Sequence, residues 1–513
     1  MPTTSPRILR AAAVGVLLSL VTACETRQVT GGGGGGSGGV LPGGAFAFRI
    51  GGVGADEARQ IVRLADGGAV VVGDFTGTVD FDPSPGVLTR IATGSTDAFA
   101  VRVDSSGALL WATIIGGPGA DAARAVAVLR DGRVVVAGSA APGLQCVGGL
   151  SLGTVAGPSD IFVSVLGTDG RCERTFIVGG AGNDAAQAVA VGAGDELYVA
   201  GTYQGPADFD PTASDVPLQP YVAGDPSDAF VARYGVDGTL RWVAPFAGRG
   251  TDRAVALRLD DVQQVVVAGT FTDTIDVDPT AGQRRFTSSG GTDVWVASIT
   301  TAALPRWGER AGGPQADVLA PHALTITSTR EALLGGQFAG SMSLGELIGL
   351  PPLASLGGTD GFVVRIGASG QAAGGFQVGG PGDDAVLGLH ADASGSLLMV
   401  GAFQGTVDFS RGVGSRVAAA ISPAGSAGAD LFTARYDLTG LVQWAERLRP
   451  SSTPTARPTA TLVADASSFW IAGRFAGTMN ADPGTGFASL VSAGDTDTYF
   501  ARYVGATGAI VRR

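Results

Sequence analysis

Few side chains in this sequence could carry covalent or proton-transfer chemistry. The chain holds two histidines, His322 and His390, and no lysine, so all 34 basic residues are arginine. Without lysine there is no Schiff base and no lysine general base. No motif places either histidine beside a nucleophile, so no Ser-His-Asp or Cys-His assembly is indicated. Both fall on strand-like segments, where a histidine reads as packed or hydrogen-bonded rather than catalytic. Carboxylate chemistry remains. A pair of acids can run glycosidase-type hydrolysis, and Asp-x-Asp recurs at Asp80 and Asp82, Asp208 and Asp210, and Asp276 and Asp278, each pair followed by proline. Alternating loop carboxylates offer oxygens to Ca²⁺, which takes about six to eight. Two per loop is a thin set, and the pattern fades to Asp408 with Ser410 and Asn480 with Asp482. Asx turns are the favoured reading and calcium the weaker one. No catalytic residue is assigned and no other cofactor is expected.

The cysteines give a more specific signal. Arg7 and Arg10 precede an apolar run, Ala11 to Leu20, too short for a permanent membrane span and suited to a signal-peptide core. The run ends in Val21, Thr22, Ala23 and Cys24, which resembles the bacterial lipobox. That resemblance implies cleavage after residue 23 and diacylglycerol on the Cys24 thiol, hence a lipid anchor in the cell envelope. An outer-membrane position, on its periplasmic or its surface face, is expected. Gly31 to Gly36 with Ser37, Gly38 and Gly39 follow, a coil without side chains to pack, so residues 24–44 read as a tether. Export permits a disulfide between Cys146 and Cys172, the expected pairing. Removing residues 1–23 takes away two arginines and no acid, so the formal net charge of −12 becomes −14. A chain so acidic is not built to neutralise nucleic-acid phosphates.

These residues sit within a repeat of about 67 residues. A GGxGxD-like turn ends at Asp56, Asp121, Asp184, Asp252, Asp317 and Asp384. A β-rich run ends in Gly, usually with an aromatic two residues on, as in Gly73 with Phe75 and Gly201 with Tyr203. An Asp opens an alternating strand at Asp97, Asp160, Asp228, Asp293, Asp360, Asp430 and Asp497. Recurrence in nearly every copy marks these acids as turn-stabilising, since a site more often breaks a repeat than obeys it. The spacing predicts four strands per unit, in the first at Ala58 to Leu64, Ala69 to Asp74, Ala98 to Val103 and Leu109 to Ile115, with a loop from Gly77 to Ser95. Asp66-Gly67 and Asp131-Gly132 supply hairpin turns. Trp111, Trp242, Trp307 and Trp444 each lie 14 residues after a strand-opening Asp and mark the fourth strand, where packing between units is expected. The segment Ala45 to Ile50 is a fourth strand with no unit before it, while the seventh unit runs out at Arg513, so the two are expected to complete one sheet.

Seven four-stranded antiparallel units predict an all-β fold, a seven-bladed β-propeller over residues 45–513 closed by the N-terminal strand. The pattern resembles the SBBP-type repeats of bacterial exported and surface proteins, carried by Gly116, Gly117, Gly119, Asp121, Val134 to Gly138, and Asp228 with Phe230. The long loop departs from that family, as does the stretch from Pro450 to Pro458, which replaces the seventh turn. The resemblance implies a fold and export and no particular reaction. With an anchor, a spacer and no catalytic set, the functional expectation is a monomeric, non-enzymatic binding or scaffold module for a protein, glycan or matrix partner. An envelope hydrolase with an all-carboxylate site near the propeller channel, and a purely structural surface lipoprotein, are the alternatives.

Overall fold

A computed structural model describes residues 46–512, apart from 84–85, 213–216, 221–225, 346–349, 411–416, 421–422, 451–458, 466 and 485–487. The signal peptide, Cys24, the tether and most of Pro450 to Pro458 lie outside the described residues. Among those residues the protein is all-β, without a helix, and its neighbouring strands run antiparallel almost throughout.

The pairing follows the repeat. In the first unit Glu57–Arg63 pairs with Ala69–Phe75, that strand with Asp97–Val103, and that in turn with Leu109–Gly116. The predicted strands are thus correct to within a residue at each end. The ladder Ala69↔Val103 to Phe75↔Asp97 runs unbroken, which places the apolar faces of Val70, Val71, Val72 and Val101 in the interior, all fully buried. A β-rich run buried on both faces needs no alternation, because it is covered by neighbouring sheets on either side.

Each unit's first strand lies beside the next unit's. Glu57–Arg63 meets Ala122–Val128, which meets Ala185–Val191, then Asp252–Leu259, Val318–Ile326, Ala385–Ala391 and Thr459–Ala464, and Thr459–Ala464 returns to Glu57–Arg63. The Gln60 side chain accepts from the Val126 amide at 2.6 Å and Thr325 from the Ala391 amide at 3.1 Å, so side chains tie these neighbours where no continuous ladder does.

The N-terminal strand Ala47–Gly52 pairs antiparallel with Asp497–Val504, register Ala47↔Ala501 to Ile50↔Thr498. It is the fourth strand of the seventh sheet. Phe48 stacks on Phe500 at 5.2 Å, Phe46 meets Trp470 edge-on at 4.8 Å, and Arg49 forms a buried ion pair with Asp497. The carboxylate that opens the last strand is therefore neutralised from the start of the chain.

The segment Gly77 to Ser95, read from the sequence as a loop, holds a hairpin, Thr78–Asp80 with Thr89–Ile91. It pairs outward, onto the preceding sheet's fourth strand, through Gly51↔Asp80 and Gly52↔Val79. Equivalent pairing occurs at Gly179↔Asp208, Ala247↔Asp276, Ala311↔Leu344 and Arg449↔Asn480. The insert of one unit so becomes the outer edge of its neighbour's sheet, which covers a ladder that would otherwise be exposed.

Removal of the Phe48 ring, 5% exposed, takes apolar contact from the join between the two ends of the chain. Phe48→Ala is expected to lower unfolding free energy by about 3 to 4 kcal/mol in urea titration, and a loss below about 1 kcal/mol would show that the N-terminal strand is dispensable.

Candidate functional site

The recurring aspartates form clamps between units. Asp121 accepts from the Gly117 amide at 2.7 Å, just past the preceding sheet's fourth strand, and from the Ala141 amide at 2.8 Å, just past its own second strand. Asp184 does the same with Gly180 and Gln204, Asp384 with Gly380 and Gln404, and Asp56 with Gly52 and Thr76. Each lies near the strand-opening Asp of the preceding unit: Asp56 with Asp497, Asp121 with Asp97, Asp184 with Asp160, Asp317 with Asp293 and Asp384 with Asp360. Burial, opposed by the two amide bonds and aided by that neighbour, raises Asp56, Asp184, Asp317 and Asp384 to about 7 and Asp121 to about 6. Paired carboxylates with shifted pKa values resemble an acid–base site. These are at most 1% exposed, however, so no substrate reaches them.

The Asp-x-Asp loops are capped turns. Asp80 accepts from the amides of Asp82 and Leu88, and Asp276 from those of Asp278 and Arg284. Asp208 caps Asp210, whose carboxylate in turn accepts from Thr212, and Asp278 does likewise with Thr280. Asn480 makes the same two bonds as Asp80, to Asp482 and Ala488. A carbonyl oxygen serves there as well as a carboxylate, so the position requires an acceptor and not a charge. Among the described residues no group of three or more His, Cys, Asp or Glu is placed to hold a metal ion, so the six calcium candidates are not gathered into a site.

The tryptophans pack between units. Trp111 lies against Gly170, Trp307 against Gly370 and Trp444 against Gly508, each glycine at positive φ in the next unit's third turn. The indoles of Trp111 and Trp242 donate to the Thr168 and Thr301 carbonyls at 3.1 and 2.9 Å. A Cβ at residue 170 would strike the ring, so the turn's glycine serves contact as well as conformation.

Cys146 and Cys172 are joined as a disulfide with Cα atoms 5.8 Å apart. Cys146 lies on Gln145–Cys146, which pairs with the first unit's Leu109–Gly116, and Cys172 opens the second unit's fourth strand. The bond ties an insert that lacks the usual hairpin back to its own sheet.

The sequence reading missed one gathering of groups. His322 does not stand alone on its strand: its ring lies against the Arg59 carbonyl, with the Arg59 and Arg258 guanidiniums nearby, and burial followed by those cations lowers it to about 3. His390 is lowered by burial and, next, by Arg258. Arg124 faces Arg59. Residues of five units thus act on one another near the first strands, with the Asp74 and Glu57 carboxylates among them. Most of these strands carry a β-bulge, at 58–60, 123–125, 186–188, 254–256 and 386–388. The residue left out of the ladder is Arg59, Arg124, Gln187, Val255 or Leu387, because a bulge turns its extra side chain away from the pairing pattern. The signal for Arg59 and Arg124 is this slot, which changes chemistry between units.

No family model matches the chain. Regulatory protein FlaEY of Caulobacter vibrioides is 28% identical over 501 residues, which cover 92% of this chain and 49% of that protein. The chain thus spans about half the length of this curated relative. Two solved extracellular domains of B. thetaiotaomicron signalling proteins, one from a hybrid two-component and one from a one-component system, align at 8% and 9% identity. Their TM-scores are 0.18 and 0.17, over 88% and 91% of this chain and 82% and 83% of theirs, so the fold is argued from strand pairing alone.

Two outcomes follow from these geometries. A carboxyl with a folded pKa near 7 and an unfolded value near 4 binds protons more tightly when folded, so its stabilisation is complete below about pH 4 and is lost as pH rises through 7. The five clamp aspartates should make the thermal midpoint higher at pH 5 than at pH 8, each contributing on the order of 1 kcal/mol. Opposing groups such as Asp465, which despite partial burial is held at about 2 by the Ser467 and Ser468 amides, act only below that window. A midpoint that climbs between pH 5 and pH 8 would mean that the amide bonds outweigh burial at these carboxyls. Reduction of the disulfide, whose cysteines are 26 residues apart, is expected to lower stability by about 3 kcal/mol, read as a urea midpoint shift absent in Cys146→Ser.

Proposed function

We propose that the protein is a seven-bladed β-propeller of SBBP type, held at the cell envelope through lipid on Cys24 and serving as a non-enzymatic binding or scaffold module. The observation that carries the propeller is the cycle of first-strand contacts, each unit's against the next and the seventh against the first, together with the N-terminal strand in the seventh sheet. Four-stranded sheets joined in that order bury their faces against one another only when arranged radially. The anchor rests on Arg7, Arg10, the apolar run and residues 21–24. The likeness to a protein named as regulatory suits a partner-binding role, in a chain about half as long.

The hydrolase alternative finds little support. The paired carboxylates are buried at the junctions between units. Surface loops that join rigid strands are the usual place for a recognition surface.

The experiment is a crosslinking pull-down of the tagged full chain from native envelopes, with calcium and with a chelator. A saturable partner retained in both conditions is the expected result. A partner lost with chelator would point to the Asp80, Asp208 and Asp276 loops, and no saturable partner from a folded chain would refute the binding role.

A further inference from the structure

We propose that the junction between the second and third units binds a small indole-bearing carboxylate, with Arg174 holding the carboxylate. The inference goes beyond the binding-module reading. It needs two adjacent units only, so it does not depend on how the ends of the chain close.

The packing of the other units shows what this junction lacks. In the first unit Arg102 on the third strand and its cross-strand partner Trp111 on the fourth both donate to the Thr168 carbonyl, at 2.8 and 3.1 Å. Thr168 lies in the next unit's third turn, which Gly170 closes on Gly167. In the third unit Arg233 and Trp242 donate in the same way to Thr301, each at 2.9 Å. The second unit departs from this pattern. Its register places Val165 opposite Arg174 at those two positions. The turn they face, which Gly238 closes on Gly235, puts Val236 where Thr168 stands. Valine has no donor to offer, and among the described residues the Arg174 side chain enters no hydrogen bond or ion pair.

A cavity of about 280 Å³ lies in the vacated position, lined by Val165, Arg174, Val236 and Asp237 together with Arg133 and Glu173. Val165 is buried while Glu173 and Asp237 are exposed, so the cavity runs from the interior of the junction to solvent. Gly238, the counterpart of Gly170, lies against Phe176 and Leu152 instead of an indole. The turn is therefore packed without the ring, and the fold does not need the slot filled.

The lining sets the chemistry of the ligand. The volume falls just under the range of about 300 to 1,000 Å³ usual for ligand pockets, which suits a small molecule. Two other units put an indole in this position with its N–H on the turn carbonyl, and Val236 carries the equivalent carbonyl. The other charged groups are engaged: Arg133 pairs with Asp131 and Glu173 at 2.7 and 3.0 Å, and Asp237 caps the Thr239 amide at 3.1 Å. Arg174 alone of the six keeps a charge without a partner, and a guanidinium matches both oxygens of a carboxylate.

The test is calorimetric titration of the purified full chain in detergent with tryptophan, N-acetyltryptophan and tryptophan methyl ester. Saturable binding of at least one of the two acids is expected, and the tighter of them tells a free amino acid from a peptide C-terminus. The ester keeps the indole and loses the carboxylate, so it should bind at least tenfold more weakly. Arg174→Gln should weaken the acids to the level of the ester and leave the ester unchanged. Arg174→Trp places the ring of the other units in the slot, and should abolish binding of all three while the chain unfolds at or above the parent temperature. Arg102→Gln, at the corresponding position of the first unit, should leave binding unchanged. Absence of saturable binding, or an ester that binds as well as the acids, overturns the proposal. So does Arg174→Gln binding like the parent, which decides the matter even where Arg174→Trp fails to fold.

Discussion

A carboxylate buried between two backbone amides from different units is the interaction on which the rest of this molecule depends. Asp121 shows why. Its oxygens reach Gly117, past the last strand of one sheet, and Ala141, past the second strand of the next, while its own amide donates to Thr96. Three chain segments are fixed relative to one another by one side chain too short to do so from anywhere else. The neighbouring glycine follows from the same geometry: at residue 116 a Cβ would collide with the Asp97 carboxylate, so the approach of one sheet to the next demands glycine there. The GGxGxD signature is therefore the outline of a junction, and its repetition is the repetition of that junction.

Junctions of this kind need reinforcement at their outer edge, which the inserts provide. The strand Thr78–Asp80 belongs to the first unit by sequence and to the seventh sheet by pairing, so pulling one unit away breaks ladder bonds in another. The second unit tests the principle by exception. Its insert supplies only Gln145–Cys146 to the first sheet, and a second short strand, Leu150–Leu152, runs parallel to its own fourth strand. Two residues of ladder are a weak hold, and the disulfide from Cys146 to Cys172 restores a fixed position by covalent means. Where hydrogen bonds are short, a crosslink limits the conformations the segment could otherwise visit.

Much of this was legible in the sequence because the physics recurs. Period-2 alternation located the four strands of the first unit to within a residue, and the surplus strand at residue 46 followed from counting back from Asp56. The insert hairpins were not legible. Strands of three residues are too short to show a period, and their partner is a strand of another unit, which no local signal encodes. Asp80 and Asp276 were correctly weighted toward turns, since their acceptor role is the one any Asx residue plays beside a loop. The gathering around His322 escaped for the opposite reason. Arg59, Arg124 and Arg258 are single departures from the repeat, and attention to what recurs passes over what does not.

That contrast bears on how a repeat fold acquires a use. A residue shared by every unit is bound by the junction it serves: Asp121 cannot also hold a ligand, because both its oxygens are occupied and it has no exposure. A bulge residue is under no such obligation. It is excluded from the ladder, and the fold accepts valine, leucine, glutamine or arginine there alike. Freedom at the bulge arises from the pairing rule itself, since one extra residue on one strand has no partner on the other. Five of the first strands carry such a free position. The repeat that makes each unit alike therefore also creates the few places where units can differ, and in this chain two of those five places hold arginine.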